Sequence, residues 1–135
     1  MKIGAYLAVP YSHPDPAIQQ WRFERVTEAT ALVIRSGIDC VYSPITHSHP
    51  IDKHLTERQT DHAFWVDRFD LPFLENSGRL IVLMLPGWND SVGVKMEIRR
   101  AKKLGLPIDY VMPIYDVMHR VADLHWMPSA PPAGM

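Results

Sequence analysis

The sequence predicts a single-domain, doubly wound α/β fold of the Rossmann or flavodoxin type, with four to five mainly parallel strands flanked by helices. Three observations carry this. Short apolar runs alternate with longer stretches of helical periodicity, which implies parallel pairing through crossovers. The run Leu80–Leu85 is apolar on both faces, as expected of a central strand covered on both sides. The 135 residues, 47% of them hydrophobic, suffice for one buried core and not for two.

In chain order, Ile3 to Val9 reads as a buried first strand ending at Pro10. After the turn-rich PYSHPDP, Asp15 and Pro16 mark a helix start, as N-cap and first helical residue. That helix runs through Ser36, with Phe23, Val26, Ala29 and Val33 spaced by three or four and Gly37 as its stop. Ile38 to Ser43 is the second strand, closed by Pro44. ITHSHPIDKH reads as a polar loop. Thr56 to Gln59 resembles a capping box, so a helix is expected from Glu57 toward Phe69. Asp70 caps a short helix with Pro72 in its first turn. Arg79 to Leu85 is the central strand. Ser91 is an N-cap, and a helix with Val94, Ile98, Ala101 and Leu104 on one face ends at Gly105. Leu106 to Met112 is a further strand, and Ile114 to about Trp126 a last amphipathic helix. The domain spans residues 1–127; residues 128–135 form a Pro-rich tail without periodicity.

Composition narrows the functional classes. Fourteen Lys and Arg against fifteen Asp and Glu give a net charge of -1, without the basic footprint of a nucleic-acid polymer binder or a polybasic membrane-surface protein. The single cysteine, Cys40, excludes an internal disulfide and a cysteine-built zinc site. It reads as a small buried hydrophobe in mid-strand. The apolar runs are far below the roughly 18 residues a membrane helix needs. Pro10 and the lack of a small-x-small site count against a signal peptide. A cytoplasmic protein is expected. Neither a Walker A string nor G-x-G-x-x-G occurs, so triphosphate hydrolysis and dinucleotide redox chemistry lack their signatures.

In doubly wound sheets ligands bind beyond the C-terminal strand ends. The loops Pro10–Asp15, Pro44–Leu55 and Pro86–Ser91 therefore matter most. The third leads into GWNDSVGVKME. Backbone N–H groups at that helix start suit an anion, Ser91 adds a hydroxyl, and Gly93 permits close approach. Glu97 lies one turn beyond Gly93, at the border of the apolar face. A plainer alternative stands beside this: Ser91 as a cap, Gly93 as a packing contact, and Glu97 solvated and paired with Arg100.

Other candidates are weaker. His47, His49 and His54 with Asp52, joined by His13 or His62, suggest a metal site, but the spacing misses a metallohydrolase string. A polar loop at the mouth of the site, with His47 as a candidate ligand contact, is the preferred reading, with no metal and no cofactor expected. Trp88 in the third loop could stack on a base, together with the close approach allowed by Gly87. Trp65, beside Phe64 and Phe69, reads as core. Arg22 and Arg25 read as a solvated helix face.

The strand AYLAVPYS with its Tyr, then Asp70 and Leu74, LIVLML and S-x-G-x-x-x-E resemble the nucleoside 2-deoxyribosyltransferase-like family, which includes nucleoside 5'-monophosphate N-glycosidases and small uncharacterised α/β relatives. The resemblance extends over roughly residues 3 to 111. It implies that Glu97 is a nucleophile toward the anomeric carbon, that Tyr6 orients it, and that Asp70 protonates or hydrogen-bonds the leaving base. Serine at position 91 suits a 5'-phosphate, with Ser12 a second phosphate contact. The residue types match the chemistry: a carboxylate captures an oxocarbenium-like centre, and a poor leaving base needs a proton. The family often carries a second acid just before the central strand, where this chain has Gly78 and Arg79. The resemblance also implies a homo-oligomer. The expected function is N-glycosidase or deoxyribosyltransferase chemistry on a nucleoside or its 5'-monophosphate. The alternatives are a non-catalytic nucleotide-binding or sensing module and, third, a histidine-loop metal-dependent hydrolase.

Overall fold

The computed structural model describes residues 3–55 and 62–127. The expected capping box at Thr56, most of the first turns after Glu57, and the Pro-rich tail lie outside the described residues. One five-stranded sheet has the order β2-β1-β3-β4-β5. Its strands are β1 (Ala5–Ala8), β2 (Val41–Tyr42), β3 (Leu80–Leu83), β4 (Ile108–Tyr115) and β5 (Val121–Met127). β2, β1, β3 and β4 are parallel, and β5 runs antiparallel to β4. This is the flavodoxin-like order, in which the chain steps from β1 to β2 and then returns past β1 to β3. The crevice between β1 and β3 is therefore where a ligand site is expected.

Helix α1 (Pro16–Arg35) starts as its sequence dictates: the Asp15 side chain accepts from Ala17 N at 2.9 Å, with Pro16 in the first helical position. Its Val26, Ala29 and Val33 pack with Ala5, Leu7, Val9, Ile81, Leu83 and Leu85 on one face of the sheet. Helices α4 (Leu71–Glu75) and α5 (Val92–Leu104) cover the other face, burying Leu74, Val94 and Ala101 against Tyr6, Ala8, Leu80, Val82 and Met84. β3 is fully buried on both sides. α5 stops at Gly105, whose φ of 72° is a left-handed cap that glycine adopts without strain.

The structure departs from the sequence expectations at five places. Ile38–Ser43 is not a six-residue strand, and only Val41–Tyr42 pair. Cys40 is exposed and left-handed (φ 54°), so it is not a buried strand residue. There the Gly4 backbone approaches so closely that an added Cβ would stand 1.9 Å from the Asp39 carbonyl oxygen. The supposed polar loop is helix α2 (Pro44–Asp52), because Ser43 is extended and Pro44 presets the first helical φ. Short helix α3 (His62–Trp65) passes into a π-helical turn, Val66–Asp70, which continues into α4. Asp70 has helical dihedrals there, and its side chain caps nothing. Finally, Ile114–Trp126 is not a helix. β4 runs on to Tyr115, turns through Asp116–Arg120 and returns as β5.

Candidate functional site

A cleft of about 700 Å³ opens at the C-terminal ends of β1 and β3. The loop after β1 contributes Tyr11 and Ser12, α1 contributes Gln19 and Arg22, and α2 contributes Ser48, His49 and Asp52. Trp65 and Asp70 come from the α3–π segment; Gly87, Ser91, Gly93 and Glu97 come from the loop after β3 and from α5. All three loops singled out in the sequence meet here.

Glu97 lies on the buried stripe of α5 with Val94 and Ala101, not at its border, and is only 7% exposed. Arg100 pairs with Glu75 instead of Glu97. Burial pushes the Glu97 carboxyl up to about 8; the nearby Asp70 charge adds to the rise, and the Tyr6 hydroxyl opposes it. Tyr6 itself is wholly buried on β1 beneath the cleft. Its hydroxyl faces Glu97 without completing a well-formed hydrogen bond. Tyr6 thus reaches the site from underneath, through the carboxylate.

Asp70 ends the π-helical turn. Such turns interrupt the regular hydrogen-bond ladder and recur at functional sites. Released from capping, its carboxyl lines the cleft, with Oδ1 buried. Desolvation raises it to about 7, and the Tyr42 hydroxyl opposes the rise. Two raised carboxyls thus share one cleft, each attended by a tyrosine from a neighbouring strand. Glu97, Tyr6 and Asp70 are expected from the sequence; Tyr42 beside Asp70 is not. The register Tyr6↔Tyr42 was its signal, hidden because β2 has only two paired residues.

Also lining the cleft, Ser91 caps α5, accepting from Val94 N at 3.2 Å. The hydroxyl proton stays available to a ligand, and Gly93 stands in the first turn beside it. Gly87 has φ 90°, and a Cβ there would stand 3.0 Å from Arg22 Nη2. Arg22 is no solvated residue. It donates to the carbonyls of Tyr11, Ser12 and Pro86 at 3.2, 3.0 and 3.3 Å, tying the first loop to the third. Arg25 is likewise not solvated; it is 7% exposed and held by Glu28.

Two expected base contacts are not in the cleft lining. Trp88 packs beneath the loop, its ring 5.9 Å from that of Tyr110. His47 points into an aromatic cluster with Tyr42, Trp65 and Phe69. Their neighbours in space take these places. Trp65 lines the cleft, its Nε1 donating to Asp52 Oδ1 at 3.0 Å. His49 stacks on Phe23, and its Nδ1 lies 2.6 Å from the Tyr11 hydroxyl and its Nε2 3.0 Å from Gln20 Oε1. Nε2 donates to the Gln20 oxygen, and burial together with Lys53 pushes the ring pKa down, which favours the neutral form with Nδ1 accepting from Tyr11. Among the described residues, no group of three His, Cys, Asp or Glu side chains is arranged to hold a metal.

Among the described residues no helix is long and apolar enough to cross a membrane. Comparison with curated proteins gives no match. Residues 4–112, which contain every cleft residue named above, match the family described as a domain of unknown function, DUF1937, and the chain belongs to that family.

Proposed function

We propose that the cleft cleaves the N-glycosidic bond of a nucleoside 5'-monophosphate or nucleoside, with Glu97 as nucleophile and Asp70 as acid. The observation that carries this is the pair of desolvated, electrostatically coupled carboxyls, Glu97 and Asp70, facing one cleft at the switch point of the sheet. The Glu97 carboxylate attacks the anomeric carbon as the C–N bond breaks. The bonding electrons leave with the base nitrogen, which takes the proton of Asp70. Water then attacks the glycosyl ester, gives its proton to Asp70 and frees Glu97; a second base in place of water gives transfer.

The reactive state needs Glu97 ionised and Asp70 protonated. The Coulombic coupling favours a pair that keeps one proton, and with Glu97 raised to about 8 and Asp70 to about 7 that proton rests first on Glu97; positive charge developing at the anomeric carbon beside Glu97 would draw the pair into the reactive state. The phosphate would sit between Ser91 with the α5 N-terminus and the loop bearing Ser12, which Arg22 holds in place. A homo-oligomeric, cytoplasmic enzyme without a cofactor belongs to the same reading. A second reading, a non-catalytic nucleotide-binding module, is favoured by one observation: Glu97 stays mainly neutral up to about pH 8.

Released base, followed by chromatography, separates the two. The protein is incubated, with and without chelator, with ribo- and deoxyribonucleosides and their 5'-monophosphates. We expect base from monophosphates, unaffected by chelator, and a loss of roughly a thousandfold or more in Glu97→Gln. Tight binding without release in any member, even with an acceptor base, would transfer the cleft to the binding module.

A further inference from the structure

We propose that Tyr42 is a positioning residue for Asp70: its hydroxyl donates to the buried Oδ1 and leaves the other carboxyl oxygen to carry the proton delivered into the cleft. Its use of Asp70 as the acid rests on the glycosidase reading; the pairing of the two side chains does not.

The argument begins with strand register. Tyr6 and Tyr42 are direct partners on parallel β1 and β2, so both side chains leave the same face of the sheet. Their rings stand 5.6 Å apart. Tyr6 thereby faces Glu97, and Tyr42 faces Asp70. The Tyr42 ring is clamped, stacked on Phe73 with centroids 4.0 Å apart and planes 1° from parallel, and flanked by His47 at 6.0 Å. Its hydroxyl therefore has little freedom to turn elsewhere. Tyr42 Oη and Asp70 Oδ1 are both buried, and neither has a fully formed hydrogen bond among the described residues. A buried polar atom without a partner is destabilising. Closing this pair satisfies both atoms at once.

A carboxyl with one oxygen engaged by a donor carries its proton on the other. That fixes the direction of proton delivery, which the backbone at Asp70 does not fix because the side chain caps nothing. The titratable groups facing Asp70 are Tyr42 from β2, Glu97 from α5 and Tyr6 from β1, with His47 of α2 behind the Tyr42 ring.

Tyr42→Phe keeps the ring stack and removes the donor. Two readouts apply. Titration of the Asp70 carboxyl by carbon NMR, assigned with Asp70→Asn, should show its midpoint moving up by on the order of one pH unit, since a bond to the ionised form is lost. In the base-release assay, kcat should fall about tenfold to a hundredfold with KM nearly unchanged, and the alkaline limb should move up with the carboxyl. A loss of packing alone would move neither the midpoint nor the limb. An unmoved Asp70 midpoint overturns the proposal. If wild type releases no base while the midpoint still moves, the glycosidase reading falls and the Tyr42–Asp70 pair stands. Should Tyr42→Phe not fold, Asp70→Asn tests the pair from the other side: the Tyr42 phenol should ionise at lower pH, followed by phenolate absorbance, and an unshifted phenol counts against the pair.

Discussion

The two faces of this sheet are built from adjacent residues of the same strands, yet they do opposite things. Ala5, Leu7 and Val9 point to the α1 face, where they meet Val26, Ala29, Val33, Ile81 and Leu83. Tyr6 points the other way, beneath Glu97. Each face also buries charge, differently. At the α1 side Arg25 is held by both Glu28 oxygens, at 2.8 and 3.1 Å, and Glu28 Oε1 also accepts from Val121 N at 2.9 Å. That charge is matched, and it fastens the terminal hairpin to the helix. On the α5 side Glu97 and Asp70 form no ion pair among the described residues, and tyrosine hydroxyls face them. Burial without a matching cation makes the two carboxyls hold protons into the neutral range. The contrast assigns stability to one face and proton chemistry to the other.

The largest effect should come from breaking the dry face. Leu7→Ala removes a fully buried side chain packed between the sheet and α1, and should cost about 2–5 kcal/mol in urea unfolding. Ligand binding per folded molecule should be unchanged. A variant of normal stability with impaired binding would dissolve the division between the faces.

The wet face should show itself as pH dependence. Glu97 titrates near 8 in the fold against an ordinary 4.5. Between these values the folded protein holds a proton that the unfolded chain releases. The stability associated with this group is therefore complete below about 4.5 and is lost as pH rises through about 8. Asp70 acts with the same sign from 3.8 to about 7. One carboxyl contributes at most ~1.4 kcal/mol per pH unit, so a few kcal/mol should separate pH 5 from pH 8. Glu97→Gln should flatten that slope and be at least as stable as wild type at pH 8. An unchanged slope would mean that Glu97 is not the buried acid.

The same division explains what was legible in the sequence. The caps at Asp15, Ser91 and Gly105 and the double-sided run at Leu80–Leu83 depend on neighbours in the chain, and each is where the residues placed it. The Ser91, Gly93, Glu97 spacing likewise lies within one helix, so three members of the cleft were found together. Tyr42, Arg22 and Asp52 escaped because their roles arise between elements: a strand register, a reach of Arg22 to Pro86, and a contact of Trp65 with α2. His47 and Trp88 were chosen for lying in the right loops. Loop position does not fix side-chain direction, and α2 turns His49 toward the cleft while His47 packs against Tyr42 and Trp65.

The terminal hairpin tests this lesson at the smallest scale. Ile114, Val117, Val121 and Leu124 have helical spacing, but Val117 is 95% exposed at the tip of a turn while Val121 and Leu124 are buried. The turn is decided by Asp116, whose Oδ1 accepts from Met118 N at 2.8 Å and Arg120 N at 3.0 Å, with His119 left-handed at φ 59°. Those bonds and Arg120 hold the Asp116 carboxyl below its ordinary range. Its contribution is accordingly present above the ordinary carboxylate pKa and lost as pH falls through the lower folded value. Asp116→Ala should give a small decrease in Tm and faster amide exchange in β5. Base release should be untouched, because the hairpin meets the α1 face and not the cleft. Loss of base release in a folded Asp116→Ala protein would show that the two faces are coupled through β4, and the separation argued above would fail at that strand.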